Sequence, residues 1–166
     1  MGNKLILVES PSKAKTIAKY QGPGWRVEAT RGHVRDLPQD KLGIEVNADF
    51  RPLYEVLPRQ VNTVRRLLKA IREADAVYVA TDMDREGEAI AWHVLQLADL
   101  PADKPVYRVA FTAITQDAVK AAIASPRPLD VNLVEAQQAR RIVDRLVGYL
   151  VSPVTCQALD GRYSAG

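Results

Sequence analysis

Cysteine is nearly absent. Cys156 is the only one in 166 residues, which excludes an internal disulfide and any cysteine-rich metal centre and suits a reducing compartment. No run approaches eighteen consecutive apolar residues, and the N-terminus lacks a signal-peptide layout, so the expectation is a soluble, cytoplasmic protein. Internal repeats, low-complexity tracts and long linkers are also missing. Neither sign of charge dominates: a net charge of +3 and a pI near 9.1 suit a polyanionic partner without requiring one. What is present is apolar content. At 47% hydrophobic, the chain can build one domain with a core and part of another.

Periodicity orders that content. The short apolar run "KLILV" at residues 4–8 is followed by Ser10 and Pro11, which read as the N-cap and first residue of a helix. After a Gly-Pro-Gly turn at 22–24, "WRVEAT" reads as a strand, and residues 32–58 look irregular. Val61, Val64, Leu67, Leu68 and Ile71 mark one face of an amphipathic helix. Then come the strand "AVYVA" at 76–80, a helix from about Arg85, the strand "VYRVAF" at 106–111 and a helix capped by Thr115. Strands alternating with helices predict an α/β fold, a parallel sheet covered on both faces.

One stretch is out of keeping with the mild overall charge. "ATDMDREGEAIAWH" at 80–93 carries acids at 82, 84, 86 and 88, directly after a strand. Sites in open parallel sheets form outside the carboxyl ends of the strands. Asp82 and Asp84, two apart in extended chain, project to one side. Glu86 follows in the first helical turn. Glu9 stands just past the end of "LILV", so four carboxylates converge if the two strands are neighbours. Oxygen ligands without histidine or cysteine favour a hard cation, Mg²⁺ where phosphate is handled. The same acids also fit an ordinary first turn that complements the helix dipole. Lys13 and Lys15, near a helix N-terminus, suit a phosphate or a solvated face equally. Glu88 reads as a surface acid and His93 as a packed histidine.

Four motifs carry a resemblance. "LVESPSKAKTI", "TRGHVRDLP" at 30–38, "ATDMDREGEAIAWH" and "AQQARRIVDRLVGYLVSP" at 136–153, in this order and spanning nearly the whole chain, resemble the bacterial type IA DNA topoisomerases. The resemblance implies a TOPRIM domain over residues 1–128, a Rossmann-like module with a central, largely parallel sheet flanked by helices. Over 129–166 it implies the helical start of a second domain lining a single-strand DNA groove. The implied activity is ATP-independent relaxation of negatively supercoiled DNA. One strand is cut through a tyrosine, another passes through the gap, and the break is resealed. Mg²⁺ is the implied cofactor. DNA and the rest of a longer polypeptide are the implied partners, in a monomeric, cytoplasmic, nucleoid-associated enzyme.

Residue by residue, Glu9 matches the acid beside the scissile phosphate that handles the proton of the leaving 3′-oxygen. Lys13 matches the lysine stabilising charge on that phosphate. Asp82, Asp84 and Glu86 match the metal-binding triad, with Glu9 beside them. Arg85 lies among these acids, and His33 matches a histidine of the active-site neighbourhood. Gln137, Arg140, Arg141 and Asp144 fall on the DNA-groove helix. A helical wheel puts Ala139, Ile142, Val143, Leu146 and Leu150 on one face of that helix, with the polar set roughly opposite. There Arg140 and Asp144 are placed for an i,i+4 pair worth about 0.2–0.5 kcal/mol.

The chain departs from the family pattern at Ala113, where relatives carry a glutamate, and at "VTCQ" after Pro153, where an aromatic is common. None of Tyr20, Tyr54, Tyr78, Tyr107, Tyr149 and Tyr163 has the sequence context of the nucleophile, so the expectation is an N-terminal segment without strand cleavage of its own. TOPRIM primases, type II topoisomerases and nucleases share the acidic pattern but lack the "QQARR" helix. Reverse gyrase would carry a helicase ahead of the first motif. A stand-alone DNA-binding module is the non-enzymatic alternative.

Overall fold

Alternation along two strands decides the layers. In the computed structural model, which describes residues 3–158, β1 (Lys4–Val8), β2 (Trp25–Ala29), β7 (Ala76–Val79) and β8 (Val106–Arg108) form a parallel sheet in the order β2-β1-β7-β8. Leu5 and Leu7 of β1 and Val77 and Val79 of β7 point to one face, where Val64, Leu67 and Ile71 of α2 (Val61–Glu73) and Ala91 and Val94 of α3 (Arg85–Ala98) meet them. Ile6, Val8 and Tyr78 point to the other, against Ile17 of α1 (Pro11–Tyr20) and Val119 and Ala122 of α4 (Gln116–Ala124). A strand buried on both faces needs apolar residues at every position, and "LILV" supplies them.

Helix starts follow local chemistry. Ser10 accepts from Lys13 N at 3.2 Å, Asp84 from Gly87 N at 2.8 Å, Thr115 from Ala118 N at 3.3 Å and Asp130 from Leu133 N at 3.1 Å. Each cap satisfies an amide the helix leaves open and contributes about 1 kcal/mol.

Residues 32–58 are less irregular than the sequence reading has them. They hold two short antiparallel pairs, β3 (Arg35–Asp36) with β6 (Glu55–Val56) and β4 (Ile44–Glu45) with β5 (Arg51–Pro52). Two-residue strands are too short to leave a period in the sequence. The strand expected over 106–111 ends at Arg108, whose own guanidinium takes the next carbonyl, Val109 O, at 2.7 Å. Beyond α4 the chain bridges back, Arg127 to Arg108, and enters α5 (Val131–Leu146), a π turn (Val147–Val151) and α6 (Ser152–Ala158). Among the described residues no helix is long and apolar enough to cross a membrane.

Candidate active site at the carboxyl edge of the sheet

β1 and β7 are hydrogen-bonded neighbours, so Glu9 and the acidic stretch emerge side by side at one sheet edge, as the sequence predicts. Ladder bonds continue past the strands: Ala80 N donates to Leu7 O at 2.7 Å and Arg31 N to Glu9 O at 2.7 Å. Glu9 Oε1 accepts from Asp82 N at 2.7 Å. Lys13, on the first turn of α1, forms an ion pair with Asp82. Asp84 caps α3 through Gly87 N. His33 Nε2 donates to Glu86 Oε2 at 2.8 Å. Arg85 is exposed on the first turn of α3.

The expected convergence of the four acids takes the form of a shared edge rather than a closed cage. Among the described residues no three His, Cys, Asp or Glu side chains are gathered closely enough to hold a metal ion. Each carboxylate instead has its own local donor. Like charges brought together resist ionisation, and separate partners avoid that cost. Gly87 is fixed by close approach, because a Cβ there would lie 2.2 Å from Asp82 O. The loop bearing His33 turns at Arg31 and Gly32, with φ of 60° and 86°. Buried Gln60 holds it, its side-chain amide donating to the carbonyls of Thr30, Arg31 and His33 at 3.3, 3.0 and 3.0 Å.

Beside Glu86 lies a cavity of roughly 180 Å³ lined by His33, Arg35, Asp36, Tyr54, Glu86, His93, Gln137 and Arg141. Its walls are charged and aromatic. Arg141 forks onto Asp36, with Nε and Nη2 each at 2.8 Å from a carboxylate oxygen. Burial works against ionisation of Asp36, but the Arg141 hydrogen bonds, the Leu37 amide and the Arg141 charge together hold its carboxyl below the usual range. Burial, aided by the Asp36 charge, pushes the Tyr54 phenol up to about 12, so Tyr54 stays protonated and is a poor nucleophile at neutral pH.

His93 is packed, as predicted, at 2% exposure. Its Nδ1 accepts from Arg35 Nε at 2.6 Å, and Arg35 in turn lies over the rings of Tyr54 and Trp92 at 5.5 and 5.0 Å. Burial first, then the charges of Arg35 and His33, pull the His93 imidazole down from 6.5 to about 3. The unfolded chain therefore takes up a proton that the folded chain refuses. Stability is full above pH 6.5 and is lost as pH falls from there towards 3, by about 2 kcal/mol at pH 5. His93→Gln keeps an acceptor for Arg35 but does not titrate. Urea unfolding at pH 7 and pH 5 is expected to show a pH penalty about 2 kcal/mol smaller in the variant, and equal penalties would contradict this assignment.

The Toprim domain family matches residues 4–114, a span that holds the sheet and every acid on its edge. The chain belongs to the Toprim family. Over 99% of its length it is also similar to proteins named DNA topoisomerase 1, at 46% identity in Mycobacterium tuberculosis and 47% in Streptomyces coelicolor. It covers 19% and 18% of those two proteins, so it spans about a fifth of the curated relatives it matches. The structure of full-length topoisomerase I from Thermotoga maritima superposes with a TM-score of 0.86 at 40% identity, over 98% of this chain and 27% of that one.

One sequence expectation for a residue of this Toprim chain is overturned here. Glu88 is not a surface acid: it is 0% exposed. Arg108, itself 4% exposed, donates to Glu88 Oε1 through Nε at 3.0 Å, and its Nη2 lies 2.8 Å from the same oxygen as an ion pair. Arg127 also pairs with Glu88, and Asp130 N donates to its Oε2 at 3.1 Å. An (i, i+2) spacing of acids looks like a solvated face, and the partners lie 20 and 39 residues away, so no local signal marks it. Burial pulls the Arg108 guanidinium down from its ordinary value, opposed by the Glu88 hydrogen bond and charge.

On α5 and the turn after it, the apolar stripe does not face the Toprim module: Val143 and Leu150 are each 56% exposed, whereas Gln137 is buried. Gln137, Arg141 and Arg145 turn inward because the module offers acceptors there. Arg141 meets Asp36, Gln137 approaches Glu86 Oε2 at 3.5 Å, and Arg145 and Tyr149 donate to the carbonyls of Lys41 and Asp40 at 3.1 and 3.0 Å. Arg140 and Asp144 form the expected i,i+4 pair, at 3.7 Å on the exposed side. Ala113 is exposed, "VTCQ" falls on α6, and Tyr163 lies outside the described residues.

Proposed function

We propose that this chain is the Toprim-bearing part of a type IA DNA topoisomerase, which relaxes negatively supercoiled DNA by transient single-strand cleavage, strand passage and resealing. The observation that carries the reading is the shared edge: Glu9, Lys13, Asp82 and Glu86 lie together where β1 and β7 end, with α5 packed alongside. Similarity to topoisomerases continues through α5, which favours this reading over a stand-alone Toprim module, primase or nuclease. On this reading the Toprim domain runs to residue 128, supported by the bridge from Arg127 to Arg108, and α5 opens the domain of the DNA groove. The enzyme would be a monomer of the cytoplasm and nucleoid.

The donor set of the edge is all oxygen, which fits a hard divalent cation. Asp82, Asp84 and Glu86, with Glu9, would hold Mg²⁺ once their side chains turn to the ion from the separate donors they meet now. The ion supplies positive charge that neutralises the scissile phosphate and favours in-line transfer. The remaining work falls to side chains of this chain. Lys13 donates to a phosphate oxygen, Glu9 holds the proton of the leaving 3′-oxygen, and His33 orients Glu86. Arg85, exposed on the same turn, adds charge at the phosphate. Arg140, Arg141, Gln137 and Asp144 guide the backbone of the single strand along α5. We assign the attacking tyrosine to none of the described residues.

Two measurements test this. The full-length protein is expected to relax negatively supercoiled plasmid with Mg²⁺ and without ATP, and an absolute need for ATP would sink the reading. Arg141 meets Asp36 through Nε and Nη2, and on this reading Nη1 would meet a phosphate of the single strand. Arg141→Ala is expected to weaken single-strand binding and to reduce the slope of log K against log [salt] by about 0.7, one phosphate contact. An unchanged slope would remove Arg141 from the interface.

A further inference from the structure

The buried ion cluster around Glu88 reaches both halves of the proposed site. On one side Arg108 donates from Nη1 to Val79 O at 3.0 Å and from Nη2 to Asp82 O at 2.8 Å, so it grips the backbone at both ends of the turn that presents Asp82. On the other side Glu88 receives Arg127 and the amide of Asp130, and Asp130 is the N-cap of α5. Glu88 itself sits on α3, in the same first turn as the exposed Glu86. A fully buried carboxylate held by two guanidinium groups and a backbone amide is rigid, because leaving any of them unpaired is costly.

We infer that Glu88 is a positioning residue that locks the acidic turn, through Arg108, to the start of α5, through Arg127 and Asp130. Cation binding at the edge and polynucleotide binding along α5 are thereby coupled. This rests on the reading of the edge as a cation and DNA site. The two arms can be cut separately. Arg108→Lys keeps a positive charge against Glu88, but a single ammonium does not span Glu88, Val79 O and Asp82 O together. Arg127→Met removes the charged half of the α5 arm, at a side chain that is 31% exposed, and leaves the Asp130 amide on Glu88.

The test uses the full-length enzyme, with Mn²⁺ as a cation visible by electron paramagnetic resonance and a labelled single-stranded oligonucleotide. Each Kd is measured alone and with the other component saturating, on samples shown by near-ultraviolet circular dichroism to be folded. Arg108→Lys is expected to raise the Mn²⁺ Kd about 10–100-fold, the usual effect of losing a supporting partner of a metal ligand. Arg127→Met is expected to leave the Mn²⁺ Kd alone unchanged, while the factor by which Mn²⁺ tightens oligonucleotide binding falls towards one. A role in stability alone would lower the Tm and move neither quantity. Wild-type Mn²⁺ affinity in folded Arg108→Lys, or an undiminished coupling factor in Arg127→Met, overturns the inference. If Arg108→Lys does not fold, Arg127→Met decides. A wild-type enzyme that binds Mn²⁺ and oligonucleotide without coupling also overturns the inference, whereas one that shows no Mn²⁺ binding contradicts the functional reading itself.

Discussion

Glu88→Ala is expected to destabilise the fold by about 3–5 kcal/mol, the cost of breaking one partner of a buried ion pair, because the other charges are left without compensation. This is the largest loss expected from any single acid that looks exposed in the sequence. Here Arg108, 4% exposed, would keep its carbonyl contacts but lose its only described carboxylate, and Asp130 N would lose its acceptor. Against native stabilities of about 5–15 kcal/mol, a loss of this size takes a large fraction of the total. Urea unfolding followed by circular dichroism measures it. A cost under about 1 kcal/mol, the range for surface pairs, would contradict the burial of Glu88.

Asp82→Asn with Asp84→Asn is expected to do the reverse, leaving the fold intact while strongly impairing relaxation. An asparagine caps a helix as well as an aspartate, so the Asp84→Asn side chain retains the bond from Gly87 N. The Lys13–Asp82 pair is half-exposed and stabilises little. Function is different on the proposed reading, because a cation held at the edge would supply several kcal/mol of charge stabilisation at the phosphate. With about 1.36 kcal/mol to each factor of ten, relaxation should fall about 100-fold or more with the Tm nearly unchanged. Normal relaxation, or loss that merely follows unfolding, would remove these aspartates from the chemistry.

The alternating strands and helices, the caps at Ser10 and Thr115, and the juxtaposition of Glu9 with the acidic stretch were all legible in the sequence. They depend on local periodicity or on which strands neighbour each other, and an α/β pattern encodes both. The family resemblance, read from four motifs, agrees with the Toprim match and the topoisomerase relatives. What stayed hidden was long-range pairing. Glu88 finds Arg108 and Arg127, and Arg141 finds Asp36 105 residues away, by tertiary approach alone. Which side of α5 meets the Toprim module is decided in the same way, by acceptors on that module that Gln137, Arg141 and Arg145 reach. The hairpins of residues 32–58 escaped because two-residue strands show no alternation.

The edge formed by Glu9, Asp82, Asp84 and Glu86 is proposed to hold a divalent cation. Iron-directed backbone cleavage tests it most directly. Fe²⁺ is substituted for Mg²⁺ in the full-length protein bound to single-stranded DNA, then treated with ascorbate and hydrogen peroxide, and the cut sites are mapped by mass spectrometry. Cuts are expected next to residue 9 and within residues 82–86, suppressed by excess Mg²⁺ and absent from the Asp82→Asn, Asp84→Asn protein. Cuts clustered elsewhere, or unchanged by those two substitutions, would contradict that proposal.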